Sequence, residues 1–82
     1  MDPALRTPAQ LGAALRRRRK TRGLTQTDLS GRIAKRQATI SNLETEGGGT
    51  LETLFAVLAA LDLELALRPR TKGARARIED IF

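Results

Sequence analysis

This sequence predicts an all-α fold with one added strand, and three stretches carry the prediction. Residues 23–44 hold two short helical patterns joined by a tight break. Residues 51–61 repeat apolar side chains at three and four positions, as one face of a helix requires. Residues 63–67 alternate leucine with Glu64 and Ala66, the period of a strand. Eighty-two residues make one small domain, near the lower limit for a self-sufficient core. Chains of this size often gain stability by oligomerising.

Composition narrows the function classes. Fifteen Lys and Arg stand against nine Asp and Glu, a net charge of +6, and the pI is near 11.3. That balance favours a polyanionic partner. Without cysteine there is no disulfide framework and no thiolate metal site. Without histidine the commonest general base and the commonest metal ligand are also missing. Serines and threonines therefore have no base to activate them. No enzyme activity, cofactor, metal or small-molecule substrate is expected. No apolar run approaches the ~20 residues that span a bilayer, and no signal peptide is visible, so no membrane partner and a cytoplasmic location are expected.

Met1 to Arg6 reads as an N-terminal arm. Thr7 then caps a first helix, with Pro8 at the position where a missing N–H costs nothing. Leu11, Ala14 and Leu15 form its buried stripe, and Gly23 supplies a left-handed stop after about Arg22. Arg16 to Lys20 and Arg22 point all round the last turns. Several of them serve as a solvated face that complements the helix dipole. The Arg18 stem is expected on the core with its guanidinium reaching out.

The second helix opens on Thr25, with Asp28 as its capping-box partner, and turns Leu29 and Ile33 inward. Gly31 within it costs ~1 kcal/mol of helix propensity, from a close backbone approach or from simple drift. Gln26 and Thr27 sit at its N-terminus, where outward amides and the helix dipole seat a phosphate. A third helix runs from about Arg36 to Glu44, with Ile40, Leu43 and Thr39 facing inward. Arg36, Gln37, Ala38, Ser41 and Asn42 are left outside. This short, amide-rich set suits hydrogen bonding to base edges in a DNA major groove. The pair reads as a helix-turn-helix.

Thr45 to Gly49 reads as a flexible loop, and Thr50 caps a fourth helix. Leu51, Leu54, Phe55, Leu58 and Leu61 mark its apolar face, widened by Val57 and the alanines. That is more apolar surface than a chain this short can bury, so part of it should meet a second subunit. Leu63, Leu65 and Leu67 form a strand that Pro69 ends. A lone strand leaves its edge unpaired, so it needs a partner. The twofold copy is the economical choice, and the N-terminal arm is the within-chain alternative. Residues 70–82 read as a basic, flexible tail ending in Ile78, Ile81 and Phe82, either a frayed end or a docking segment for a partner.

Leu24-Thr25-Gln26, Leu29 to Ile33 and Gln37 to Glu44 resemble the five-helix DNA-binding domain of the Cro/C1-type (XRE) repressor family, over roughly residues 8 to 68. Within that family, Lys35 to Glu44 followed by Leu61 to Leu67 is most similar to the HipB antitoxins of HipBA toxin–antitoxin modules. Ala34 stands where the family usually has a turn glycine, and Lys35 where it often has an apolar residue. Both bear on the geometry of the turn. The resemblance implies that Gln26 clamps the DNA backbone, that Arg19 pairs with Glu44, and that the strand pairs with its mate across a dimer.

Together these readings give a single domain over residues 7–69, with the arm at 1–6 and the tail at 70–82. Arg36, Gln37, Ala38 and Ser41 are assigned to base reading, and Gln26, Thr27, Thr39 and Asn42 to the DNA backbone. Arg19 and Glu44 form a structural ion pair. Leu54, Leu58, Leu63, Leu65 and Leu67 make the dimer. Ile78, Ile81 and Phe82 are the candidate docking residues for a partner, with a frayed end as the alternative. The function the resemblance implies is a homodimeric antitoxin that binds an inverted-repeat operator in double-stranded DNA. It would also neutralise a HipA-like serine/threonine kinase and repress its own operon. The competing readings are a stand-alone XRE-family transcriptional or phage repressor, and a protein-interaction module with weak DNA binding.

Overall fold

The computed structural model describes residues 4–70. Four helices follow one another: α1 (Pro8–Thr21), α2 (Gln26–Ile33), α3 (Gln37–Glu46) and α4 (Leu51–Ala60). Three begin on a threonine whose hydroxyl accepts from an amide of the first turn: Thr7 from Gln10, Thr25 from Asp28 and Thr50 from Thr53. Each such cap satisfies an amide that the helix itself leaves without a partner. At Thr25 the capping box is complete, because Asp28 Oδ2 accepts in return from the Thr25 amide at 2.9 Å. α3 starts on Arg36 with no side-chain cap, and it runs two residues beyond the expected end at Glu44.

Leu15, Leu29, Ile40, Leu43, Leu54, Val57, Leu58 and Leu61 form one buried cluster drawn from all four helices. Each such side chain contributes about 1.5–3 kcal/mol relative to an exposed one. Leu11, Leu24, Ile33, Ala60 and Leu63 pack around it. α1 lies so close to the end of α3 that a Cβ on Gly12 would run into the carbonyls of Leu43 and Glu44. Gly12 is buried, and the absence of a side chain is what lets the two helices meet there.

Several expectations are corrected. The described residues hold four helices, where the family resemblance implied five, and they hold no strand. Leu63 to Arg70 has no regular secondary structure and no ladder partner, because hydrogen bonds to a neighbour are what make a strand and the described residues supply none. The arm does come alongside: Ala4, Leu5 and Arg6 line a groove of about 590 Å³ together with Glu64 to Arg70. No backbone bonds join the two segments.

The glycine-rich connection is not a slack loop. Thr45 and Glu46 belong to α3, and Gly47 ends it in the left-handed conformation at φ 73°, its backbone pressed on Pro8. Leu54 and Leu58, assigned to the dimer, lie in the protomer's own core, because a helical repeat defines a stripe but not which part of it the same chain covers. The exposed large apolar side chains of α4 are Leu51 and Phe55, at 71% and 52%. Leu65 at 49% and Leu67 at 92% are open to solvent beside it in sequence.

Candidate nucleic-acid interface

The turn between α2 and α3 is built on Ala34, which sits left-handed at φ 57° and ψ 44°. Its amide donates to the Ser30 carbonyl, and the Lys35 amide reaches the same oxygen at 3.0 Å. An alanine there keeps the turn a glycine would make, at a cost of about 1–2 kcal/mol from the crowding of its Cβ. Lys35 is exposed, so the turn places no apolar side chain at that point.

The turn delivers the start of α3 to solvent. Arg36, Gln37, Ala38 and Asn42 are exposed, Thr39 and Ser41 are half-buried, and Ile40 and Leu43 are sealed beneath them. Among the residues assigned to bases, Arg36, Gln37 and Ala38 therefore form one open corner, with Ser41 a turn further along and partly covered. Of the backbone set, Thr27 and Asn42 are exposed and Gln26 and Thr39 are half-buried.

Arg19 and Glu44 meet below this corner. Arg19 Nε donates to Glu44 Oε2 at 2.6 Å and a terminal nitrogen donates to Oε1 at 3.0 Å. The other terminal nitrogen donates to the Leu24 carbonyl at 2.7 Å. Both residues are buried. Burial pushes the Glu44 carboxyl up, but hydrogen bonds from Arg19 and Gln26, with the charges of Arg19 and Arg16, outweigh it and hold the group below its ordinary value. The hydrogen bond to Glu44 raises the Arg19 guanidinium against the opposing effect of burial. At the mouth of α2, hydrogen bonds from Thr25 lower the Asp28 carboxyl.

A feature that residue spacing did not reveal joins the ion pair to the surface. Gln26 Nε2 donates to Glu44 Oε1 at 3.1 Å, and Gln37 Nε2 donates to Gln26 Oε1 at 3.2 Å. The Thr27 hydroxyl completes the line by donating to Gln37 Oε1 at 3.4 Å. Gln26 is thus a bridge between core and surface as well as a polar group at a helix start. Gly12 was likewise missed, although a glycine inside a helical pattern is the available signal for close backbone approach. Arg18 departs from expectation too. Its Nε turns back to the Leu61 carbonyl at 3.1 Å, an oxygen it shares with Arg22 at 3.1 Å, and the two guanidinium groups close the end of α4.

Ile78, Ile81 and Phe82 lie outside the described residues. Among the described residues no group of acidic side chains is placed to hold a metal ion, and no helix is long and apolar enough to cross a membrane.

A buried two-helix unit that presents the polar start of its second helix to solvent defines a DNA-binding domain of the helix-turn-helix class. Residues 15–67 match the helix-turn-helix family. Within that class the chain belongs to the HipB antitoxin family. It is 40% identical over 62 residues to Antitoxin HipB of Escherichia coli (strain K12), covering 74% of this chain and 70% of that protein. The match to Antitoxin HipB of Escherichia coli O6:H1 is also 40% over 62 residues, covering 74% and 66%. Among solved structures, a HipB–O4 20mer complex superposes with a TM-score of 0.78 at 36% identity, over 87% of this chain and 100% of that one. The HipB chain of a HipA–HipB–O2–O3 complex gives 0.78 at 38%, with the same coverage.

Proposed function

We propose that this chain is the antitoxin of a HipBA-type module, which binds operator DNA and a HipA-like serine/threonine kinase and represses its own operon. The observation that carries the reading is the open corner of Arg36, Gln37 and Ala38, on a scaffold that superposes at 0.78 on HipB in a complex with HipA and operator. The catalysis belongs to the partner, and this chain acts by binding alone.

Arg36, Gln37, Ala38 and Ser41 read base edges, while Gln26, Thr27, Thr39 and Asn42 hold the DNA backbone. Phosphate contacts set register and base contacts set sequence. The active species is a twofold dimer in which Leu63 to Leu67 pairs antiparallel with its mate. Exposed Leu51, Phe55, Leu65 and Leu67 supply the apolar surface that such a pairing covers. Residues 7–69 form the working domain, with the arm before it, and Ile78, Ile81 and Phe82 in the segment after it dock the toxin.

Two experiments test this. Selection from randomised duplexes should return an inverted repeat with half-sites about 34 Å apart, one helical turn. Co-expression with a HipA-like kinase should yield a stable complex and relieve the kinase's toxicity. A selected site without dyad symmetry would overturn the dimeric operator reading. A site recovered without any complex would leave a stand-alone repressor.

A further inference from the structure

We infer that Arg18 and Arg22 form a two-guanidinium clamp for acidic side chains of a protein partner, and that the partner is the toxin kinase. The inference rests on the proposal that this chain binds such a kinase, and it gives that contact a place on the folded domain.

Residues 18 and 22 are one helical turn apart at the end of α1, so the two arginines share a face. Both turn to the end of α4. Arg18 Nε and a terminal nitrogen of Arg22 each donate to the Leu61 carbonyl at 3.1 Å, so those nitrogens lie no further apart than twice that distance. A cap on α4 needs only one of them. The Val57, Leu58 and Ala59 carbonyls already accept from the amides of Leu61, Leu63 and Asp62. A single guanidinium would satisfy the Leu61 oxygen and complement the negative end of the helix. The second brings like charge beside like charge.

Nothing among the described residues offsets that charge. Arg19–Glu44 is the one ion pair there, and Asp62, next to Leu61, pairs with neither arginine. Arg17 and Lys20 are exposed on the same turns and add to the positive field. A guanidinium carries five N–H donors in a fixed fork, and each arginine uses one on Leu61. Held there, the two forks keep donors for an anion with two oxygens, as a carboxylate has. Arg22 is exposed and Arg18 half-buried, so the site is open to a partner yet partly shielded from water.

A phosphate would suit the same forks, but the next residue marks the side that serves DNA. Arg19 turns to Glu44 on α3, and hydrogen bonds run from there through Gln26 to Gln37 at the open corner. Arg18 turns instead to α4. An antitoxin that holds operator and toxin together needs a toxin surface outside the DNA corner. The Arg18–Arg22 face offers one, and acidic side chains on the kinase are its complement.

The test uses the full-length chain and the HipA-like kinase it captures, with operator affinity measured separately. Arg18→Gln with Arg22→Gln removes both charges and leaves amides able to donate to Leu61. Thermal melting checks the fold; if the double variant does not fold, Arg22→Gln alone, at an exposed position, decides by the same comparison. Kinase affinity should fall at least about tenfold and lose much of its salt dependence, while operator affinity holds. Arg18→Lys with Arg22→Lys keeps the charge without the forks and should recover only part of the loss. Unchanged kinase affinity in a folded variant would overturn the clamp and leave the arginines as a cap on α4. An equal fall in operator affinity for every sequence, with a shallower salt slope, would assign them to DNA phosphates and overturn it too. If the wild-type chain captures no kinase, the reading beneath the clamp fails first and the clamp with it.

Discussion

Arg19 grips Glu44 with two guanidinium nitrogens, at 2.6 and 3.0 Å, and ties the last turns of α1 to the end of α3. The two side chains are 8% and 3% exposed, so neither charge has water to fall back on. Arg19→Met or Glu44→Gln alone should each cost about 3–5 kcal/mol, because each strands the other charge. The double change should cost less than either single change. Urea unfolding of the four proteins measures this. Strictly additive losses would show that the pair is not coupled.

Acid should act through the same carboxylate. The folded-state value of Glu44 is depressed, so its contribution is fully present above the unfolded value of about 4.3 and is lost as pH falls through the folded one. Asp28 is depressed as well and adds in the same direction. The melting temperature should hold steady from neutral pH to about 5 and then drop on further acidification. Glu44→Gln should flatten part of that drop. An unchanged acid limb in the variant would assign the loss to other groups.

Two small residues near the turn should respond in opposite directions to exchange. A Cβ on Gly31 would meet nothing within 4 Å, so Gly31→Ala should raise stability by about 0.5–1 kcal/mol. Ala34 is left-handed, and Ala34→Gly should relieve up to about 1 kcal/mol despite the added freedom of the unfolded chain. Thermal melting of each single variant checks both signs. A destabilised Gly31→Ala would point to a neighbour absent from the isolated chain, such as a second copy of it.

The dimer is tested at Leu65. If the proposed pairing holds, Leu65→Pro removes one of its ladder amides and fixes the backbone there. Sedimentation should find monomers, and operator affinity should fall at least about tenfold, since each half-site then binds alone. A variant that stays dimeric would move the interface to the Leu51 and Phe55 face of α4.

Local chemistry made most of the secondary structure legible. Threonine caps, the Thr25–Asp28 box, Gly23 and the helical spacing of Leu29, Ile33, Ile40 and Leu43 all act within a turn or two of chain, so each helix announces itself. Resemblance to repressor domains pointed to Arg19 and Glu44, which stand 25 residues apart. What periodicity could not do was divide a stripe between one's own core and a partner. Leu54 and Leu58 went inward, while Leu51 and Phe55 stayed out, because that division depends on where α1 to α3 sit. Likewise Leu63 to Leu67 carries the alternation of a strand, yet pairing is a property of two segments and not of one. The line from Glu44 through Gln26 to Gln37 was decided only by tertiary structure. Its three members come from two helices, and side-chain hydrogen bonds depend on positions in space that no interval in the sequence encodes.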